Sequence, residues 1–254
     1  MKMKRVPLLL RLLLLGLCLT QLLEISAIAA VNRKVVAIQD IEIVTDAAGV
    51  KRKLTEEEKK AIRAITDAGA MTAPSGIFSP GKAVSIRDSL WAQWTQAGRP
   101  VPKGKNPFES CIKKGEEEYL PMYFWAYNNK LLLYGEDVKK AGGKLQLTDL
   151  SREQSRIDMI EDMYREWCID FPEVTASEKP AEDVKLGMGG KSRVYADALA
   201  WALAEGIVKK SELKTKKDGL YFEPGSPVTR AQASLWLYRF RARMEVRKAE
   251  SKKA

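Results

Sequence analysis

The chain has 254 residues, with 43 Lys and Arg against 33 Asp and Glu, 45% hydrophobic residues and no histidine. That apolar content is enough to bury a core, which excludes wholesale disorder. The missing imidazole rules out Ser-His-Asp and Cys-His nucleophiles, His-ligated zinc and facial-triad iron.

The first predicted element is an address. Lys2, Lys4 and Arg5 precede a Leu-rich run from Leu8 to Leu23, and Ala27-Ile28-Ala29 closes it. A basic start, an apolar middle and a small-x-small end predict a secretory signal peptide over residues 1–29. The run falls short of the ~20 apolar residues of a spanning helix, so no transmembrane segment is expected after cleavage. Without residues 1–29 the net charge drops from +10 to +7, and residues 239–254 carry +5 of that. Residues 30–238 are therefore close to neutral, and nucleic acid is not an expected partner. The cysteines beyond the leader are Cys111 and Cys168. In an oxidising compartment they either form a disulfide or remain buried thiols, and their spacing leaves both open.

Three amphipathic units follow. Tyr119, Trp125, Ala126, Leu131 and Leu132 recur at the same spacing as Tyr195, Trp201, Ala202, Ile207 and Val208. Both stretches predict short helices, with Pro121 suited to a first turn. Ala61 to Met71 is a weaker copy without the Trp, in which Gly69 matches Gly206. Both tryptophans are expected in the core, as aromatics at helical spacing usually are.

A second pattern comes after each of these helices. Phe78-Ser-Pro80-Gly81 matches Phe222-Glu-Pro224-Gly225, while Leu145-Gln-Leu147 keeps only the apolar spacing. Three capping-box helix starts succeed them: Ser85-Ile-Arg87-Asp88, Ser151-Arg152-Glu-Gln154 and Thr229-Arg230-Ala-Gln232. In the middle copy Ser155-Arg156-Ile-Asp158 fits equally well. The expected division is a first repeat over 30–100, a second over 101–169 and a third over 170–243. Residues 170–192 serve as a linker within the third, and 244–254 form a basic tail that frays from the last helix.

These residues resemble the S-layer homology (SLH) domain family. Members have a helix with Trp-Ala ending in Gly-Ile, then Phe-x-Pro, then Thr-Arg-Ala-Glu opening a second helix. Phe171-Pro-Glu-Val174 is similar to the family's lead-in. The resemblance implies an all-α fold of three helix-loop-helix repeats in a pseudo-threefold assembly. It also implies an exported protein of the cell wall, S-layer or cell surface. The ligand it implies is a secondary cell-wall polysaccharide, often pyruvylated, or a modified peptidoglycan. It carries the ligand-binding role to Arg230, Arg152 and Arg87, with Thr229, Gln232 and Gln154 beside them. Asp88, Gln154 and Gln232 depart from the family's Glu.

Physical chemistry points to the same arginines. A cation in a helix's first turn opposes the macrodipole, and an anion bound there would engage both the guanidinium and unpaired N–H groups. The competing reading pairs each arginine with nearby acids such as Glu223, and leaves the hydroxyls as caps. No catalytic residue, metal or cofactor is expected. The competing functions are a peptidoglycan-associated protein and a small exported wall-active enzyme working without His. The run Glu116–Glu118 reads as a solvated helix start and not as a glycosidase carboxylate pair.

Overall fold

The computed structural model describes residues 38–45, 51–133, 135–185 and 191–252, so the leader expected over 1–29 lies outside the described residues. Six helices are described: α1 (Glu56–Asp67), α2 (Ile86–Gln96), α3 (Leu120–Asn128), α4 (Arg156–Asp170), α5 (Lys191–Ala204) and α6 (Arg230–Ser251). Three two-stranded antiparallel sheets accompany them: β1 (Ile43–Thr45) with β2 (Lys51–Lys53), β3 (Val138–Ala141) with β4 (Lys144–Leu147), and β5 (Lys214–Lys216) with β6 (Gly219–Tyr221). The expected all-α fold is therefore wrong: the architecture mixes helices with hairpins. The hairpins escaped the sequence reading because their strands are three or four residues long, too short for an alternating pattern to stand out, and one strand of each pair is rich in lysine or arginine.

The second helix of each unit starts on a hydroxyl cap. Ser85, Ser155 and Thr229 each accept a hydrogen bond from the backbone N–H three residues on, and Gln232 completes a capping box by accepting from the Thr229 N–H. The middle helix thus begins at Ser155 and not at Ser151. The segments just before these caps meet in a closed ring. The Val84 N–H donates to the Val228 carbonyl, the Val228 N–H to the Gln154 carbonyl, and the Gln154 N–H to the Val84 carbonyl.

The ring also dictates what happens at the helix ends. Arg230 and Ala231 donate their N–H groups to the carbonyls of Lys82 and Pro80; Arg156 and Ile157 donate to Ser226 and Pro224; Ile86 and Arg87 donate to Arg152 and Leu150. Each helix start is capped by backbone from a different unit. An orphaned buried N–H costs about 1–3 kcal/mol, so these six bonds make the units interdependent.

Helix pairing follows the same logic. α1 packs on α6, α2 on α3 and α4 on α5, so each pair draws its helices from two sequence units. The first helices end similarly, with Gly69, Lys130 and Gly206 all at positive φ (68°, 59° and 71°). Two apolar clusters result. One joins α1, α4, α5 and α6 around Trp201, Trp236, Phe222 and Phe240; the other joins α2 and α3 around Leu90, Phe108, Met122 and Trp125. Trp201 touches Tyr164, Trp167 and Phe240, with ring centroids 5.5, 5.5 and 5.9 Å away.

Of the two readings left open for the cysteines, Cys111 and Cys168 are free thiols, half-buried and packed against different clusters. Two further expectations are corrected. The supposed linker is tied down: the Tyr164 hydroxyl bonds to Val174, the Ala176 N–H donates to Asp197, and Ala181 and Val184 are buried. The basic end does not fray at Met244. α6 continues to Ser251, with Arg243 and Arg247 on Glu205 and Lys248 on Asp170.

Candidate functional site

A groove of about 760 Å³ opens between the β1–β2 hairpin, the N-terminus of α1 and the N-terminal half of α6. Thr229, Gln232, Leu235 and Arg239 supply the α6 wall, Arg52 and Thr55 face it, and Arg156 reaches in from α4. Its four acids are already matched. Glu57 takes Arg239 and Lys209, Glu58 takes Arg52, Glu212 takes Arg239, and Glu223 takes Lys214. The hydrogen bonds from Arg239 and Lys209 hold Glu57 down at about 2, so it is ionised at any ordinary pH.

Arg156 is the exception. It is only 8% exposed, and its guanidinium lies 4.7 Å from the Phe222 ring centroid and 5.5 Å from that of Trp236. Its Nε is buried without a partner, and the side chain makes no ion pair or hydrogen bond among the described residues. Burial pulls its pKa below the usual arginine value, while Glu223, Glu212 and Asp183 act on it from a distance. A buried, unpaired cation is costly, and a bound anion would relieve that cost.

The Phe222 ring beneath Arg156 is held by Asp183, which accepts the N–H groups of Phe222 and Glu223 at 2.8 and 2.7 Å. Glu223 adopts a positive φ of 56°, which turns both N–H groups toward one carboxylate. Asp40 does the same for Phe78 and Ser79, where Ser79 has φ 55°. The lead-in device is thus Asp183-Val184 and not Phe171 to Val174. An Asp about forty residues before a Phe-x-Pro turn was the available signal, and only the fold shows the two meeting.

The arginines singled out in sequence are placed apart. Arg230 donates through Nε to the Phe78 carbonyl at 2.7 Å and through Nη2 to Thr72, with its guanidinium 4.4 Å from the Phe78 centroid. Arg152 lies four residues before the α4 start, exposed, and pairs with Asp137 at 2.6 Å. Arg87 pairs with Glu116 at 3.0 Å and lies over Tyr119. Thr229 and Gln232 do line the groove, while serving as cap and capping-box partner. Gln154 is buried in the ring, its amide donating to Asp162 at 3.0 Å. The N–H groups expected to be open at these helix ends are taken by carbonyls from neighbouring units. Arg156 was visible only as the second possible register.

Asp162 is buried, and desolvation, reinforced by Glu161, Asp137 and Asp158, raises its pKa well above the usual carboxylate range. Among the described residues no cluster of Cys, Asp and Glu has the arrangement of a metal site, and no helix is long and apolar enough to cross a membrane.

No curated protein matches the chain. From α5 through the first turn of α6, residues 188–234 match the S-layer homology domain family.

Proposed function

We propose that the chain is an exported, non-enzymatic envelope protein that holds an anionic wall glycan in the groove at Arg156. The observation that carries this reading is the unpaired, buried guanidinium at a groove whose acids are all neutralised. One anionic group, such as the ketal carboxylate of a pyruvylated sugar, has the charge and planar shape to meet that fork. The Phe222 and Trp236 rings hold the guanidinium plane in place, and the capped hydroxyl of Thr229 and the Gln232 amide offer polar contacts for sugar hydroxyls. The match over residues 188–234 supports cell-surface anchoring as the task. The second unit supplies Arg156 and the first supplies the β1–β2 wall, and the ring of pre-cap segments places Arg156 opposite α6. Arg230, Arg152 and Arg87 contribute through the structure they brace.

Pelleting with purified cell-wall sacculi tests the reading. Wild type should sediment with intact walls and remain in solution when the secondary polymer is stripped. Arg156→Ala should lose sedimentation, and Lys252→Ala should keep it. Equal pelleting with stripped walls would transfer the ligand to peptidoglycan. Turnover of wall fragments, abolished by one Asp or Glu change, would replace the binding reading with an enzymatic one.

A further inference from the structure

Among the described residues four buried carboxylates face an arginine: Glu58 with Arg52, Asp137 with Arg152, Glu161 with Arg165 and Glu166 with Arg241. Asp162 is buried too, and it pairs with no cation among the described residues. Its hydrogen bond comes from the Gln154 side chain, whose Nε2 donates to Oδ2 at 3.0 Å. The other end of that amide, Oε1, is buried without a partner, on a residue only 2% exposed. Acids surround the pair. Asp158 and Glu161 act on Asp162 from its own helix, Asp137 from just before β3 and the Tyr195 hydroxyl from α5; Arg165, already held by Glu161, is the cation that reaches it. A buried acceptor left empty is costly, and so is a carboxylate placed among three others. One proton removes both defects. On Asp162 it makes a neutral acid whose O–H donates to Gln154 Oε1, while Oδ2 goes on accepting from Nε2.

We propose that Asp162 holds a proton in the folded chain and closes a cyclic acid–amide pair with Gln154, a proton-operated latch on the ring that joins the three units. Gln154 is a link of that ring: its N–H donates to the Val84 carbonyl and its carbonyl accepts from the Val228 N–H. When the proton leaves to solvent, Oε1 confronts lone pairs where it had a donor, and a fourth negative charge joins Asp137, Asp158 and Glu161. The side chain then loses its buried place, and the bonds to Val84 and Val228 loosen. The groove lies one step further on. Arg156 follows Gln154 by two residues, Ser226, Pro227 and Thr229 flank Val228, and all four line the groove. The latch stands without any ligand; only its effect on binding rests on the anion reading of the groove. A group that holds its proton more tightly when folded stabilises at low pH, so the latch is closed there and opens as pH rises.

The test uses the full chain. At about pH 6, where exposed carboxylates are ionised, the infrared spectrum should contain a protonated-carboxyl band that Asp162→Asn removes and that fades as pH rises. Hydrogen exchange at the Val84, Gln154 and Val228 amides, corrected for its intrinsic pH dependence, should accelerate about ten-fold or more on going from about pH 5 to about pH 9. In Asp162→Asn, whose amide donates to Gln154 Oε1 at every pH, the same amides should stay protected. A wild type without the acid band would overturn the latch, as would a variant with the wild-type exchange profile. Should the Asn variant not fold, Gln154→Met carries the test: the acid band should move when its amide partner is gone, and an unmoved band would overturn the pair. Sedimentation with sacculi should weaken with rising pH in wild type and not in Asp162→Asn; a parallel decline in both would overturn the link to the groove. Failure of the groove reading looks different, since Arg156→Ala would then sediment like wild type while the infrared and exchange results stood.

Discussion

Arg156 and Arg230 occupy the same position, the first residue of a hydroxyl-capped helix, and each lies over the phenylalanine of a Phe-x-Pro turn in another unit. Their fates differ because of what the neighbouring backbone offers. The Phe78 and Thr72 carbonyls reach the Arg230 guanidinium and turn it into a strut between the last unit and the first. Among the described residues no carbonyl reaches the Arg156 side chain, which faces a groove instead. One local motif thus yields structure at one junction and an anion-binding surface at another.

The comparison is most exposed to Arg230→Ala. Removing the strut leaves two carbonyls without their charged donor and should destabilise the fold by about 3 kcal/mol, read as a shift in urea midpoint at constant m-value. If stability is unchanged but wall binding disappears, Arg230 belongs to a site and the contrast with Arg156 collapses.

The third junction, around Gln154 and Asp162, predicts a pH effect. The folded-state pKa of Asp162 is raised, so the native state holds its proton more tightly than the unfolded chain does. Stability from this group is present at low pH and is lost as pH rises from its ordinary value of 3.8 through its raised folded value. Burial raises Glu161 and Glu166 likewise, so their slopes add. Thermal melts should therefore show stability falling as pH rises above the ordinary values of 3.8 for Asp162 and 4.5 for the two glutamates, by at most about 1.4 kcal/mol per pH unit for each group titrating. Asp162→Asn keeps the acceptor for the Gln154 amide and should reduce that fall; an identical profile in the variant would remove Asp162 from the account.

Arg156→Met sharpens the contrast from the other side. It replaces an unpaired buried cation by an apolar chain of similar length over Phe222 and Trp236. Stability should rise by about 1 kcal/mol as glycan binding is lost. A destabilised variant would mean that the guanidinium has a structural partner after all.

The smallest effect concerns the first helices, where Lys130 adopts the left-handed conformation that Gly69 and Gly206 adopt in the other two. Lys130→Gly should relieve backbone strain for a net gain of about 0.5 kcal/mol, because the added unfolded-state entropy offsets part of it. A loss in chemical denaturation would show that the lysine side chain contributes more than the strain it imposes.

Much of the local structure was legible. The caps Ser85 and Thr229 and the buried Trp125 and Trp201 follow from spacing alone, because capping and helical periodicity act within four residues. The middle cap was ambiguous for the same reason. Ser151 and Ser155 both satisfy a local rule, and the choice of Ser155 is made by the Val84–Val228–Gln154 ring. The hairpin strands, three or four residues long, were too short for a pattern to declare them.

Charge shows the same division. Composition alone established that imidazole chemistry is absent and that the positive excess outside residues 30–238 belongs to the two ends. It also suggested a loose basic tail. Tertiary structure instead pairs Arg239 with Glu57 and Glu212, and Arg241 with Glu166, and it buries five carboxylates, four of them against arginines. Sequence determined which charges the chain carries and which helices can form, since both are local properties. Whether an arginine became a strut, an ion-pair member or an unpaired cation was decided by the carbonyls and acids that folding brought to it from other units.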